Sequence, residues 1–264
     1  FNLQPSEFTK IALILYLAYS IDKKQDRIRS LSAGFLPYMV VLIILLGLML
    51  KQPDMGAALT LAAVTILMLF AAGTRLVFIL GSGMVALPFV VYLIYHSAYR
   101  LNRIKAFLNP EQDPTGIGWQ IIQSKYAFGT GGFFGQGLGE GKQKLFYLPE
   151  AHTDFILSVV GEELGFIGVA IIIGMFFILI QRAMRIAMAA QDTFGRFLAL
   201  GIAVLFAIEA TVNMGVVTGL LPTKGLALPF LSYGGSSLLI SLFAVGILLN
   251  ISVGLKLAPL TGKE

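Results

Sequence analysis

The stretch Gly34–Leu50, GFLPYMVVLIILLGLML, decides the fold class. It carries no charged side chain, and apolar residues fill every side of the helix it would form. Such a helix has no polar face to turn toward water. About 20 residues of this kind cross a bilayer. Working outward from it, the segments Pro5–Ile21, Met55–Gly73, Leu76–Tyr95, Phe155–Ile180, Phe197–Thr218 and Ser236–Leu255 have the same character. Pro5–Ile21 is the weakest, because Glu7 and Lys10 lie near its start. No segment shows the strict alternation of a barrel strand. The expected fold is all-α, a polytopic transmembrane helix bundle with seven spans.

The composition agrees. Of 264 residues, 57% are hydrophobic and 12% charged, against roughly 25% charged in soluble domains. The mean hydropathy of +0.84 excludes a disordered chain or a coiled coil. With no cysteine, a disulfide scaffold, thiol chemistry and zinc sites built on Cys are also excluded. A net charge of +5 would suggest nucleic acid in a soluble chain. Here the basic residues lie in loops and set topology, so no nucleic-acid partner is expected.

The loops alternate in charge. Lys23, Lys24, Arg27, Arg29, Arg75, Arg182, Arg185, Arg196, Lys256 and Lys263 fall on one side, and only Lys51 and Lys224 in the short loops of the other. The positive-inside rule places the first set in the cytoplasm. The loop 96–154 then lies outside, and a connection of that length is expected to be functional. The sequence begins at Phe1 with no signal-peptide n-region or cleavage site. It therefore reads as part of a longer chain.

Most acidic residues gather at one face. Glu7, Asp54, Glu111, Asp113, Glu140, Glu150 and Asp154 lie at or beyond the outer span ends, with Glu162, Glu163 and Glu209 deeper. Ionisable groups at membrane depth usually face an interior cavity. In Leu148-Pro149-Glu150-Ala151-His152-Thr153-Asp154-Phe155, Thr153 or Asp154 could cap the following helix. Asp154 could equally be a carboxylate placed to take a proton from a substrate, and His152 reads as a loop histidine or a base. Glu7 and Lys10 share a helix face, as an ion pair or as groups that shape a cavity or bind a lipid headgroup. Asp54 reads as a cap on the third span.

The run Gly129–Lys142 tempts a phosphate-loop reading but lacks the required spacing, so it is read as a flexible loop whose Phe133 and Phe134 dip into the membrane interface. In Leu221–Ser237, two prolines and three glycines forbid a regular helix. Irregular backbone near membrane depth needs protein or a water-filled cavity beside it. Lys224 points into such a cavity or snorkels to the surface.

Five segments together resemble one family. They are Gln4–Lys10 (QPSEFTK), Gln52–Gly56 (QPDMG), Leu148–Phe155 (LPEAHTDF), Gly161–Gly165 (GEELG) and Ser232–Ser236 (SYGGS). In order and along the whole chain, they resemble the SEDS family of shape, elongation, division and sporulation proteins. Leu221–Leu226 (LPTKGL) is closer to its division and sporulation members than to its elongation members. The resemblance implies ten membrane helices, of which these seven are the fourth to the tenth. Residues 1–264 are then the C-terminal part of a single transmembrane domain, with 96–154 its large extracytoplasmic loop.

The resemblance also implies a peptidoglycan glycosyltransferase of the cytoplasmic membrane that polymerises lipid II, with its catalytic face outside. It implies that Asp154 is the essential carboxylate. Substrate or cavity residues are Glu7, Lys10, Asp54, Arg100, Arg103, Glu150, His152, Lys224, Ser232 and Tyr233. Asn102 stands where relatives often carry Arg. The implied partners are a class B penicillin-binding protein (a transpeptidase), divisome regulators and membrane lipid. A divalent cation, Mg or Mn, is the one cofactor implied, with no ligands assigned. The competing function is a lipid II flippase, which should show polar residues continuous to the cytoplasmic face.

Overall fold

The computed structural model describes residues 3–112, 116–143 and 148–257. Asp113 and Lys263, which entered the charge readings, lie outside them. The described helices are α1 (Pro5–Lys23), α2 (Leu36–Lys51), α3 (Met55–Ala71), α4 (Leu76–Tyr95), α5 (Ala98–Leu108), α6 (Ile117–Gly131), α7 (Ile156–Ala189), α8 (Thr193–Val217) and α9 (Gly235–Leu257). Each of the seven expected spans is a helix. The fifth runs on to Ala189 and takes in Arg182 and Arg185, and the long loop contributes α5 and α6.

Five stretches are long and apolar enough to cross a membrane: Leu31–Lys51, α4, α7, α8 and Gly235–Gly254. Of the other two expected spans, α3 is apolar but has 17 residues. The 19 residues of α1 include Glu7, Lys10, Asp22 and Lys23. The chain is a multi-pass helical membrane protein.

Local signals explain the starts. Pro5 opens α1, where its missing N–H would be unpaired in any case. A π-helical turn, Leu31–Phe35, leads into α2. The Asp54 carboxylate accepts the Ala57 N–H at 2.8 Å, so Asp54 is the helix cap expected of it.

The chain forms two compact units. One comprises the residues up to Leu80, Phe177–Ile208 and those from Gly235 on; the other comprises Gly81–Phe176 and Glu209–Gly234. In the first, Ile14, Leu17 and Ile21 of α1, Leu61, Met68 and Leu69 of α3, and Ile202, Leu205 and Phe206 of α8 are fully buried. A Cβ on Gly201 would collide with Ile14 and lie 2.9 Å from the Met68 sulfur. The α8 backbone therefore rests directly on α1 and α3. Lipid is as apolar as leucine, so such contacts hold by dispersion and close backbone approach rather than by transfer from water. The second unit has its own core of Leu148, Phe155, Leu157, Ile172, Phe176, Val217 and Leu228. No residue of α4 is buried.

The longest helix is not continuous. At Gly165 the backbone of α7 leaves the helical region (φ 66°, ψ −165°). A helix end leaves carbonyls without partners on one side and N–H groups on the other. The Gly-rich run supplies both. The Gln136 and Gly137 N–H groups donate to the Glu162 and Glu163 carbonyls, each at 3.0 Å. The Phe166 and Ile167 N–H groups donate to the Gly132 and Phe133 carbonyls at 2.9 and 3.3 Å. A Cβ on Gly135 would run into the Glu163 carbonyl, and one on Gly131 into that of Gly161.

The expected flexible loop is thus a clasp docked on a helix break. Phe133 packs edge-on against Phe166, with ring centres 6.0 Å apart, and Phe134 is exposed. Glu162 and Glu163 were expected to face a cavity. Instead, the Glu162 carboxylate accepts the Lys142 and Gln143 N–H groups at 3.0 and 3.1 Å. Glu163 accepts the Gly139 N–H at 3.0 Å. Backbone donors brought by the glycines outcompete a water-filled space.

Candidate active site

The segment Leu148–Phe155 folds on itself between two buried apolar anchors, Leu148 and Phe155. Its hub is Glu150, a non-glycine residue at φ 56°. The Glu150 carbonyl accepts the Thr153 and Phe155 N–H groups, both at 3.2 Å, and its carboxylate accepts the Thr153 hydroxyl at 2.6 Å. Glu150 is therefore a turn-former, a role sequence reading did not assign.

The expected cap is displaced. Because α7 begins at Ile156, Phe155 stands immediately before it, and the Phe155 carbonyl accepts the Ser158 N–H at 2.9 Å. The Thr153 hydroxyl is bound to Glu150 instead.

Beyond this turn, three consecutive carbonyls are each held by a different donor. The Tyr233 N–H donates to the His152 carbonyl at 2.8 Å. The Ser232 hydroxyl donates to the Thr153 carbonyl at 2.6 Å and accepts the Leu228 N–H at 2.7 Å. The Asn213 side-chain amide donates to the Asp154 carbonyl and to the Leu226 carbonyl, both at 2.8 Å. These bonds fix the backbone of Asp154.

That carboxylate is half-buried and lies beside Gly225, where a Cβ would stand 3.3 Å from Oδ2. Asp154 stands two residues before the first turn of α7. Asn213, which is buried, was not among the expected site residues. An amide inside an apolar helix is a signal of interior pairing in its own right.

Two of the donors, Ser232 and Tyr233, come from the irregular segment between α8 and α9, and Asn213 lies on α8 itself. The irregular segment also carries Lys224, whose burial pushes its ammonium below the ordinary lysine value. Arg103 joins this loop: its guanidinium donates to the Thr223 carbonyl at 3.2 Å and lies 4.5 Å from the centre of the Tyr99 ring. Arg100 turns away and donates to the Leu93 carbonyl at 3.0 Å. The side chains of His152 and Tyr233 are exposed, and their backbones make the bonds described. Two buried oxygens, Asn213 Oδ1 and Thr223 Oγ1, have no hydrogen-bond partner among the described residues.

Glu7, Lys10 and Asp54 belong to the other unit. There Lys10 Nζ and Glu7 Oε1 pair at 2.7 Å, and both residues are buried. Next to them in sequence, the Gln4 N–H donates to the Ser236 hydroxyl at 2.9 Å. The ion-pair reading of Glu7 and Lys10 is thereby met, and each unit presents its own polar cluster.

Among the described residues, no three His, Asp or Glu side chains gather as a metal-binding group.

Residues 1–257 match the model of the cell cycle protein family FtsW/RodA/SpoVE. The chain is 92% identical over 264 residues to the probable peptidoglycan glycosyltransferase FtsW of Trichlorobacter lovleyi, covering 100% of this chain and 69% of that protein. It is 48% identical over 252 residues to the stage V sporulation protein E of Bacillus subtilis, covering 96% and 69%. Among solved structures, it resembles a chain from work on the structural coordination of polymerization and crosslinking by a peptidoglycan synthase complex. There the TM-score is 0.77 and the identity 28%, over 97% of this chain and 72% of that one. It also resembles the rod shape determining protein RodA of Thermus thermophilus, with a TM-score of 0.64 and 27% identity, over 96% and 66%.

Proposed function

The chain belongs to the FtsW/RodA/SpoVE family, and from that premise we propose that it is a peptidoglycan glycosyltransferase that polymerises lipid II in septal wall synthesis. One observation carries the reading to a residue: the three held carbonyls of His152, Thr153 and Asp154. A general base must be held within a fraction of an ångström of its proton donor. This bracing positions the Asp154 carboxylate, which lies beside Gly225.

In the proposed reaction the 4-hydroxyl of a GlcNAc gives its proton to the Asp154 carboxylate as its oxygen attacks C1 of a MurNAc. The C1–O bond to undecaprenyl diphosphate breaks, and the diphosphate leaves with the electron pair. General-base help of this kind contributes about 10²–10⁴-fold. The leaving charge needs cations nearby. Lys224 and Arg103 are the proposed ones, because both lie on or against the loop that borders Asp154. Arg100, bound to Leu93, is the weaker choice. A divalent cation would add charge if shared with the substrate phosphates, and no step here depends on it.

Transport is less well supported. Asn213 and Glu162, polar groups that a flipping path would use, are bound to backbone partners. We further propose that the Asp154 face is extracytoplasmic, that the membrane is the cytoplasmic one, and that a class B penicillin-binding protein is the partner. The basic asymmetry of the loops supports the first point. The second and third follow from the family and from the synthase complex to which the chain is similar.

The test of function is polymerisation of lipid II by the purified full-length protein with a cognate class B penicillin-binding protein. The Asp154→Asn variant should lose it, and near wild-type turnover would remove Asp154 as the base. The chain has no cysteine, so single cysteines report its orientation. In intact cells, position 136 should react with an impermeant thiol reagent and position 25 should not.

A further inference from the structure

The break at Gly165 divides α7 unequally. The leading piece, Ile156–Leu164, rises only about 13 Å and begins two residues after Asp154. It is separated from the rest of its own helix by a residue with non-helical angles. Its position is therefore not inherited from the long body of α7. It is set by what grips its two ends together with the buried Leu157 and Ser158 between them, the latter bonded to Ser124 at 2.7 Å.

At the Asp154 end the grip is the row of carbonyl bonds described above. At the far end the grip is the clasp, and there Glu162 is central. Glu162 is 2% exposed. Its carbonyl accepts from Gln136, and its two carboxylate oxygens accept from Lys142 and Gln143. Gly141 lies beneath them, where a Cβ would stand 2.9 Å from Glu162 Oε2. A carboxylate near a helix C-terminus is repelled by the dipole. Its place here is held by charge-assisted bonds from N–H groups aimed at it. Such bonds lock a rotamer and a loop together.

The clasp is also tied to the Asp154 turn: the Leu148 N–H donates to the Gln143 carbonyl at 2.9 Å. One loop thus touches both ends of the same short helix. Gln143 gives its N–H to the Glu162 carboxylate and its carbonyl to the residue that opens the Asp154 turn.

We propose that Glu162 is a positioning residue for Asp154, acting through the clasp and Gln143 to fix the leading piece of α7. The proposal rests on the reading of Asp154 as the base. A slack clasp would let the leading piece shift by a fraction of an ångström. Misplacement of this order lowers turnover without removing a substrate contact.

The experiment uses the full-length protein in a lipid nanodisc and compares wild type, Glu162→Gln and Gly141→Ala by two readouts. The first is amide hydrogen exchange over 136–143 and 150–158. The second is the kcat and KM of lipid II polymerisation with the partner transpeptidase. Glu162→Gln keeps the side-chain shape and turns N–H groups toward N–H groups. It should raise exchange in both segments and lower kcat roughly 10- to 100-fold, with KM within about twofold. Gly141→Ala, pressing on the same carboxylate from the loop side, should give the same pattern more weakly, and it carries the test if Glu162→Gln does not fold.

Faster exchange in 136–143 with 150–158 and kcat unchanged would overturn the proposal, and so would unchanged exchange in 136–143. If exchange in the two segments is coupled but Asp154→Asn still turns over at the wild-type rate, the base assignment fails and the mechanical link stands.

Discussion

Glu7 and Asp154 are two carboxylates held in opposite ways. Glu7 is buried, and its charge is met by Lys10 one helical turn on, at 2.7 Å. Asp154 is half-buried, and the bonds that hold it end on its backbone carbonyl and those of its two predecessors. At Glu7 the charge maintains the structure. At Asp154 it is the peptide backbone that the surrounding residues hold. The comparison separates a carboxylate whose loss should act mainly on stability from one whose loss should act mainly on turnover.

The sharpest test of that contrast is Asp154→Asn. Lipid II polymerisation should fall by about 10²–10⁴-fold, while thermal unfolding is unchanged because all three carbonyl bonds survive. Asp154→Glu should recover little, since an added methylene moves the carboxylate by about 1.5 Å. Lys10→Met should show the reverse. Breaking a buried pair from one side costs about 3–5 kcal/mol, so the unfolding temperature should drop, with turnover falling only in proportion to the folded fraction. The double variant Glu7→Gln, Lys10→Met should regain part of the lost stability. If Lys10→Met instead abolished turnover at full stability, the contrast would collapse.

Asn213→Leu lies between these poles. It leaves two carbonyls without their donor, at about 1–3 kcal/mol each when buried. Both a lower unfolding temperature and a kcat loss of roughly tenfold are expected, the latter read at a temperature where the variant is fully folded.

The smallest effect is expected at Lys224. Its folded value lies below 10.5 because burial disfavours the ammonium. Between the two values the unfolded chain holds more protons, so stability should rise with pH there. Lys224→Met should flatten that rise in unfolding curves taken between neutral pH and about pH 10, and stabilise the protein at neutral pH.

The seven helices were legible, and for the five long enough to cross a membrane the signal is an unbroken apolar run, as in Gly34–Leu50. The cap at Asp54 and the pair Glu7–Lys10 were legible because both depend on neighbours three residues away. Asn213 was not, since its partners at 154 and 226 lie on other elements. The clasp was hidden for a related reason. Glycines read as slack in a sequence, and nothing local says that their N–H groups will meet carbonyls at 162 and 163. His152 and Tyr233 misled in another way: their side chains drew notice, and their peptide groups make the bonds.

The uncovered helix α4 has a consequence of its own. Its 20 residues rise about 30 Å, the thickness of an average hydrocarbon layer. Within this chain most of its side chains are exposed, with Phe78 near its start 5.9 Å from the Phe35 ring centre. A helix in that position registers bilayer thickness directly, and a thinner bilayer must be met by tilt or by local stretching of the lipid. Reconstitution into lipids of graded acyl length should therefore disturb α4 before it disturbs α8, which has most of its surface packed inside the protein.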